Sequence, residues 1–311
     1  MITFLSSPKA FAGRAATQQI AAIKSWLALS DDVEIILYGN SPGIIEACTE
    51  LNISHVPNVE STNGGIPYFG AIADHAARYA KYDNQVYINC DILLTSHILT
   101  AFEQITFNEF LIIGQRIDLK DGVDMNLTEA GFALKLDTLL KDNLISLHPP
   151  AGSDYFGFKR GMWNRLPPVI IGRGGYDNAL IAFCLQKGIP VIDTTLMIPA
   201  IHQFHEYGHA KGGYNEIFNS SDSAQNSVLL NGYIGLSLED ANWIMTSEGL
   251  KRKLLKRAFL RSLHVKLHFV YKNYFFAKLI GIMRRIFSHL NFYEDYKITL
   301  EEVLNNYKYK Q

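Results

Sequence analysis

Alternating strands and helices over residues 1–110 place the tightest constraint on the fold of this chain. Apolar runs of strand length occur at Ile2–Leu5, Val33–Tyr38 and Phe110–Gly114. Segments with helical periodicity lie between them, for example Ala15–Leu29. This alternation predicts an α/β fold with a mainly parallel central sheet and helices on both faces. In sheets of this kind, ligands bind beyond the carboxyl ends of the strands.

Segments that follow the predicted strands should therefore form one crevice. They are Ser6–Arg14, Gly39-Asn40, Gly64-Gly65 and Asn89–Asp91. No GxGxxG follows the first strand, so a dehydrogenase-type dinucleotide fold is not expected. The sequence also lacks GxxxxGK[ST], the pattern of a P-loop.

A carboxylate comes shortly after the strand Val86-Tyr87-Ile88, within Asn89-Cys90-Asp91. A carboxylate at the end of a buried strand is costly unless something pairs with it. A divalent cation that carries a phosphate would be such a partner for Asp91. Alternatively, Asp91 caps the helix predicted to begin near Ser96, or bonds to a neighbouring turn.

A glycine-rich segment, Ile171-Gly172-Arg173-Gly174-Gly175-Tyr176-Asp177-Asn178, precedes a helix predicted at Ala179–Gln186. Its glycines allow the backbone to approach another group closely. Asp177 lies at or near the helix start, where it serves either as an N-cap or as a carboxylate that accepts a hydroxyl proton. An aromatic ring, hydrogen-bond donors and a carboxylate together suit a sugar. Asp154, before the strand Tyr155–Phe158, is either a turn residue or a substrate ligand.

Three of the ten histidines, His202, His205 and His209, fall within eight residues. This spacing favours a role with a metal ion or a phosphate over a purely structural one. The three imidazoles could bind zinc by themselves. There is no HExxH, and Glu206 directly after His205 is not the metalloprotease arrangement.

Charge divides the chain into two predicted parts, a catalytic domain at 1–248 and a basic amphipathic helical region at 249–311. Residues 1–248 hold 15 Lys and Arg against 26 Asp and Glu, whereas residues 249–311 hold 14 against 4. No acidic residue occurs between Glu248 and Glu294, where cations alternate with apolar side chains. We expect these helices to bind an anionic membrane surface. Alternatively, these helices pack on the core and leave a solvated basic face. Nucleic acid is not expected as a partner, because the sequence contains no nucleic-acid motif.

Cysteine usage and hydropathy give an expectation for location. The three cysteines, Cys48, Cys90 and Cys184, are far apart and form neither a zinc pattern nor a disulfide framework, which favours a reducing compartment. Met1–Leu5 is a strand rather than a signal peptide, and no run of eighteen apolar residues occurs. We expect a cytoplasmic protein, peripheral on the inner face of a membrane.

Three separated elements resemble the nucleotide-sugar-dependent glycosyltransferases of the GT-A type, over about residues 1–215. Asn89-Cys90-Asp91 is placed as the DxD motif of that family is, with Asn at the first position. Gly172–Asn178 is similar to the acceptor loop Gly-Trp-Gly-Gly-Glu-Asp-Asp of β-1,4-galactosyltransferases. His202 stands where such enzymes place a C-terminal metal-binding His. His205-x-x-Gly208-x-x-Lys211 also resembles the HxxGxxK motif of glycogenin-like retaining transferases.

The resemblance implies transfer of a sugar from a nucleoside-diphosphate sugar to a hydroxyl of a glycan or lipid-linked acceptor. Mn²⁺ or Mg²⁺ would be held by Asp91 with His202 or His205, and Asp177 would be the general base. The other residues implicated in donor binding are Ser6, Arg14, Asn89 and Lys211. Those implicated in acceptor binding are Asp154, Arg173, Gly174, Gly175 and Tyr176. Arg173 and Tyr176 replace the Trp and Glu of the galactosyltransferase loop, so acceptor identity does not carry over.

Other functions fit parts of the pattern. A metal-dependent hydrolase would use His202, His205 and His209, and would hold zinc without needing a nucleotide sugar. A sugar nucleotidyltransferase would share the α/β domain, but usually has a glycine-rich, basic loop that Ser6–Arg14 only approximates. A non-enzymatic membrane-binding protein would leave Asp91 and Asp177 without a role. The two transferase templates disagree on stereochemistry, so inversion and retention both stay open.

Overall fold

The computed structural model describes residues 1–123, 125, 129–205, 217–231, 236–253, 256–289 and 298–308. Within these ranges the chain forms a nine-stranded central sheet and a separate four-stranded sheet. The strands in chain order are β1 (Ile2–Ser6), β2 (Val33–Tyr38), β3 (Ser54–Val56), β4 (Asn84–Ile88), β5 (Ile92–Leu93), β6 (Leu111–Ile113), β7 (Arg116–Leu119), β8 (Ile145–Leu147), β9 (Tyr155–Lys159), β10 (Val191–Asp193), β11 (Ala200–His202), β12 (Trp243–Thr246) and β13 (Gly249–Arg252).

The central sheet has the order β13-β12-β10-β6-β9-β4-β1-β2-β3. Most neighbouring strands in it are parallel, but β9 is antiparallel to both β4 and β6, and β13 is antiparallel to β12. The predicted α/β class with a mainly parallel central sheet is therefore confirmed. β4 is buried along almost its whole length, as expected for a strand covered on both faces.

Helices cover both faces of this sheet. In chain order they are α1 (Gly13–Leu27), α2 (Ile44–Leu51), α3 (Phe69–Tyr79), α4 (His97–Glu103), α5 (Glu129–Lys141), α6 (Tyr176–Lys187), α7 (Ser221–Val228), α8 (Lys256–Val265), α9 (Tyr274–His289) and α10 (Leu300–Lys308). A short 3-10 turn at Leu238–Asp240 and a wider helical turn at Lys266–Val270 complete the set in the described ranges.

Two apolar cores result, one on each face of the sheet. Phe4, Ile23 and Trp26 belong to the first, together with side chains of α4 and α10. Phe69, Phe158 and Leu180 belong to the second, together with side chains that follow α8. All six of the residues named here are at most 1% exposed, and burial of a large apolar side chain stabilises the fold by roughly 1.5–3 kcal/mol.

The four-stranded sheet, of order β5-β11-β7-β8, was not predicted. The polar run Asp118–Asp124 predicts a loop, but Arg116–Leu119 is a strand whose residues alternate between partly exposed and buried. That alternation, Arg-Ile-Asp-Leu, is the period of a half-buried strand. The loop prediction is therefore wrong for Asp118 and Leu119, and Asp124 lies outside the described residues.

The change in composition at residue 249 coincides with the start of β13, the second strand of a β-hairpin. β12 and β13 pair with each other, and β12 joins the central sheet beside β10. The basic helices start with α8, which is tied to the rest of the chain by Arg261. This side chain, 7% exposed, lies 2.5 Å from Asp240 and 2.6 Å from Glu239. No helix in the described ranges has the length and apolar character needed to span a bilayer.

Candidate active site

The small sheet brings three polar side chains to one place. Asp91 directly precedes β5, His202 ends β11, and Asp118 lies in β7. The register pairs His202 with Ile92 on one side and with Asp118 on the other. Residues separated by more than 100 positions in the sequence therefore become neighbours through main-chain pairing.

Helix α1 fixes the main chain on which these side chains stand. Trp26 donates its indole N–H to the Ile92 carbonyl at 2.8 Å. Gln18 donates to the Phe204 carbonyl at 2.7 Å, and Gln203 donates to the carbonyls of Gln18 and Asp91 at 2.9 and 3.1 Å. These amides are buried, and buried hydrogen bonds of this kind hold a site in one geometry.

Asp91, His202 and His205 form a cluster that could hold a metal ion. One ligand atom from each lies within 4.8 Å of the other two. The Asp91 Oδ2 atom is 3.0 Å from His205 Nε2, and the two Nε2 atoms are 3.2 Å apart. Asp91 Oδ1 is buried and has no hydrogen-bond partner among the described residues. A buried carboxylate oxygen without a partner is costly, so this atom is suited to bind a cation.

The hydrogen-bond partners of His205 also favour a bound cation. Its Nε2 atom lies 3.0 Å from Asp91 Oδ2, which can only accept, and 3.1 Å from the Lys9 ammonium, which can only donate. One ring nitrogen cannot carry a proton for the first partner and a lone pair for the second. A divalent cation between Asp91, His202 and His205 would bind all three through lone pairs and remove the conflict.

Lys9 is the residue of this cluster that sequence reasoning missed. Its Nζ atom lies 3.2 Å from Asp91 Oδ2. Gln19 holds the main chain of Lys9 on both sides, accepting from its N–H at 2.8 Å and donating to its carbonyl at 3.1 Å. Lys9 belongs to the predicted crevice segment Ser6–Arg14, so the signal was present, but Arg14 was preferred within it.

Positive neighbours keep Asp91 ionised. Burial acts to raise the pKa of Asp91, but the hydrogen bond from His205 and the charge of Lys9 outweigh it and hold that pKa well below its usual range. A carboxylate that stays charged at neutral pH is the form that binds a cation.

Asp118 contacts the ring nitrogen of His202 that does not face the cluster, Nδ1. Its carboxylate lies 3.2 Å from His202 Nδ1, 2.7 Å from His148 Nδ1 and 2.7 Å from Arg116 Nε. A proton on His202 Nδ1 leaves Nε2 with its lone pair toward Asp91 and His205, the arrangement found behind metal-binding histidines. Burial acts to raise the pKa of Asp118, but the hydrogen bond from His148 leads the contributions that lower it.

A second chain of contacts joins this cluster to the glycine-rich loop. Asn89 donates from Nδ2 to Asp154 Oδ1, and Arg116 pairs with the other Asp154 oxygen. The Tyr176 hydroxyl donates to the carbonyl of Ser153, the residue before Asp154, at 3.2 Å. Asp154 is buried and paired, so it positions these groups.

Asp177 lies in the first turn of α6, and Gly175 rather than Asp177 is the N-cap. The Asp177 carboxyl is 9% exposed. Burial, followed by the nearby charge of Asp154, raises the pKa of Asp177, although main-chain N–H groups counteract this. A raised pKa makes the ionised carboxylate a better proton acceptor near neutral pH.

The glycines of the loop serve its own packing. Gly175 has φ +81°, in the left-handed region that favours glycine. A Cβ on Gly174 would lie 3.2 Å from the main chain of Phe218, so the close neighbour here is the chain itself. Asn226 of α7 bonds to the N–H and carbonyl of Ile170, and Arg173 Nε lies 3.7 Å from Asp222.

The remaining predicted residues have different surroundings. Ser6 is fully buried, and its hydroxyl donates to the Ile88 carbonyl at 2.6 Å, which holds β1 against β4. Arg14 is half exposed, pairs with Asp121 at 2.6 Å and lies over the Phe204 ring. Lys211 and His209 lie outside the described residues, so the HxxGxxK pattern and a three-histidine site stay predictions.

A scan against models of protein families matches none, and a search of curated proteins finds no match. Similar solved structures include glucosyl-3-phosphoglycerate synthase from Mycobacterium tuberculosis in complex with Mn²⁺, UDP and phosphoglyceric acid. The two chains are 15% identical, and the match covers 74% of this chain and 76% of that chain with a TM-score of 0.43. The same enzyme with Mg²⁺ and UDP has 14% identity, 74% and 77% coverage and a TM-score of 0.43.

Another similar structure, from Desulfovibrio desulfuricans G20, is described as a nucleotide-diphospho-sugar transferase. It shows 12% identity, coverage of 75% of this chain and 97% of that chain, and a TM-score of 0.40. At these identities and TM-scores, the likeness assigns neither residue roles nor an activity to this chain.

Proposed function

We propose that this chain is a metal-dependent glycosyltransferase of the GT-A type, which moves a sugar from a nucleoside-diphosphate sugar to a hydroxyl acceptor. One observation carries the proposal. A cluster that could hold a cation lies at the end of β4, and Asn89 links it to Asp154, beside the Ser153 carbonyl that Tyr176 contacts and near the buried Asp177. A charge-neutralising site and a proton acceptor at neighbouring positions are what displacement of a diphosphate by a hydroxyl requires.

Asp91, His202 and His205 would hold the metal. One carboxylate and two imidazoles suit Mn²⁺ better than Mg²⁺, which prefers oxygen ligands and retains water. When bound, the ion would neutralise charge on the diphosphate leaving group. Asp118 fixes the His202 ring so that Nε2 faces the cluster.

Lys9 would contact the donor diphosphate. Its ammonium lies beside Asp91 and His205, and the side chain is a third exposed, so it can turn toward an anion once a metal takes its place. Lysine binds phosphate as a point charge and needs no fixed fork geometry. Arg14, which follows the same loop, would break its ion pair with Asp121 and bind the nucleotide instead.

Asp177 would accept the proton of the acceptor hydroxyl, in a direct displacement that inverts the anomeric configuration. Its raised pKa supports this role. Tyr176 is buried and its pKa is raised by burial first of all, so it acts as a neutral hydrogen-bond donor. Arg173, Gly174 and Gly175 would shape the surface on which the acceptor, a glycan or a lipid-linked glycan, is placed.

A thermal-shift panel of nucleoside diphosphates, with and without Mn²⁺, tests the proposal. We expect stabilisation by one nucleotide that depends on the metal, since a ligand at about 100 times its Kd adds roughly 2.7 kcal/mol. Asp91→Asn should lose this shift, whereas Asp121→Asn, at an exposed carboxylate, should keep the metal-dependent part. Tightly held zinc in the purified protein, with hydrolysis that needs no nucleotide sugar, would instead support the hydrolase.

A further inference from the structure

Helix α9 carries a large apolar surface that the rest of the described chain leaves open. The side chains that form it are between 41% and 70% exposed. They are Phe275, Phe276, Leu279, Ile282, Met283 and Ile286. Monomeric soluble proteins seldom expose a contiguous apolar patch of this kind unless it binds something. These six side chains are named the α9 apolar face.

The α9 apolar face lies on the side of the helix opposite its contact with α8. At about 100° per residue, its six side chains fall within an arc of about 120°. Ala277, on the opposite side of the helix, is 1% exposed. A Cβ on Gly281 would lie 3.1 Å from the His264 ring, and Arg284 Nη1 lies 2.9 Å from His264 Nδ1. The packed side of α9 therefore contacts α8, and the apolar side faces outward.

Cations border this face. Lys278 and Arg285 are exposed and lie seven residues apart, on the same edge of the arc. Lys272, in the turn before the helix, is also exposed. No acidic residue occurs in the sequence between Glu248 and Glu294. An apolar stripe with a basic edge is complementary to a bilayer surface that contains anionic lipids.

We propose that the α9 apolar face docks on an anionic lipid bilayer, with Lys278 and Arg285 among the headgroups. A second copy of the chain is a poorer occupant, because an antiparallel two-fold contact through this face would bring the same basic edge of both helices together. α8 connects α9 to the rest of the chain through the ion pairs of Arg261, of which the one with Asp240 is buried. Docking would therefore hold the active site at a fixed orientation to the membrane.

Vesicle co-sedimentation of the full chain tests this proposal. Vesicles of phosphatidylcholine alone are compared with vesicles that contain about 30% phosphatidylglycerol. We expect binding to the anionic vesicles only, and weaker binding as salt is raised. The key variant is Phe275→Glu with Ile282→Glu, which places two charges in the apolar arc.

The matched control is Ile45→Glu with Tyr79→Glu, on α2 and α3. Both positions are apolar and at least 60% exposed, and the control changes net charge by the same amount as the α9 variant. We expect the α9 variant to lose at least about 10-fold in binding and the control to lose far less. Circular dichroism and melting temperature confirm that both variants are folded.

Three outcomes would overturn the proposal. The first is absence of binding to anionic vesicles by the wild-type chain. The second is equal loss of binding in the α9 variant and the control, which would assign the effect to net charge. The third is a dimer in analytical ultracentrifugation that the α9 substitutions disperse, without vesicle binding, which would make a second copy the occupant of the face.

Discussion

Lys9→Met is the substitution that most sharply tests the metal cluster. In the structure the Lys9 ammonium lies 3.2 Å from Asp91 and 3.1 Å from His205, where a metal ion would also have to be. A bound cation and the ammonium cannot both stay there, because like charges at such distances repel. Met keeps the length and apolar stem of the side chain, and Gln19 continues to hold the main chain.

The structure gives the size of the effect. Removing one partner of a fully buried ion pair costs about 3–5 kcal/mol. Lys9 is 33% exposed and Asp91 keeps His205 as a neighbour, so a cost of about 1–2 kcal/mol is expected for the metal-free protein. A metal ion restores the lost partner, so the affinity for Mn²⁺ should rise by the same free energy, about 5–30-fold.

Calorimetric titration of Mn²⁺ measures this, with Lys24→Met on the exposed side of α1 as the control. In the wild type, bound Mn²⁺ displaces the Lys9 ammonium, which can then contact the diphosphate. Lys9→Met lacks this ammonium, so in saturating Mn²⁺ it should bind nucleoside diphosphate more weakly than the wild type. The two affinities should therefore change in opposite directions. Unchanged or weaker Mn²⁺ binding by Lys9→Met would show that Lys9 does not occupy the position of the metal.

Three further predictions concern the base, the support of His202 and the attachment of α8. Because Asp177 must be ionised to act and its pKa is raised, transfer should fall with decreasing pH at a midpoint above the ordinary value of about 3.9. Asp177→Asn should lose about 10²–10⁴-fold in rate while nucleotide affinity, measured by calorimetry, is retained; retained transfer would exclude the role. Asp118→Asn should lower Mn²⁺ affinity by about 10–100-fold through the His202 ring, and equal affinity would contradict this. Arg261→Met leaves the buried Asp240 without its partner, so chemical denaturation should show about 3–5 kcal/mol less stability; a loss below about 1 kcal/mol would argue against this attachment of α8.

Local sequence pattern predicted β1, β2, β4, β6 and β9 because each of these strands contains an apolar run. β1 and β2 begin at the predicted residues. The glycine-rich loop and the helix after it were also predicted, although α6 begins at Tyr176, three residues earlier than expected. The direction of each strand could not be predicted from local sequence pattern. β9 is antiparallel to β4, and this pairing depends on the path of the chain between residues 93 and 155.

The small sheet could not be predicted because its strands are two to four residues long and pair across large separations. Asp118 becomes part of the site only through the pairing of β7 with β11. Four alternating residues such as Arg-Ile-Asp-Leu are the shortest pattern that indicates a strand, and a loop can contain the same pattern. Lys9 and Arg14 illustrate a related limit, since which of two nearby cations contacts the site depends on tertiary contacts such as those of Gln19.

The structure around position 89 explains why Asn is compatible with this position and Asp is not. In the pattern that the sequence resembles, the first position of this motif is a carboxylate. Here the Asn89 amide donates to Asp154, which can only accept, and Asp154 is also paired with Arg116. An aspartate at 89 would place two carboxylates within hydrogen-bonding distance, and one of them would have to take up a proton. The carboxylate at this end of the site is therefore supplied by residue 154, across the β4–β9 pairing, and Asn89 is the group that orients it between Asp91 and the Tyr176-Asp177 end of the loop.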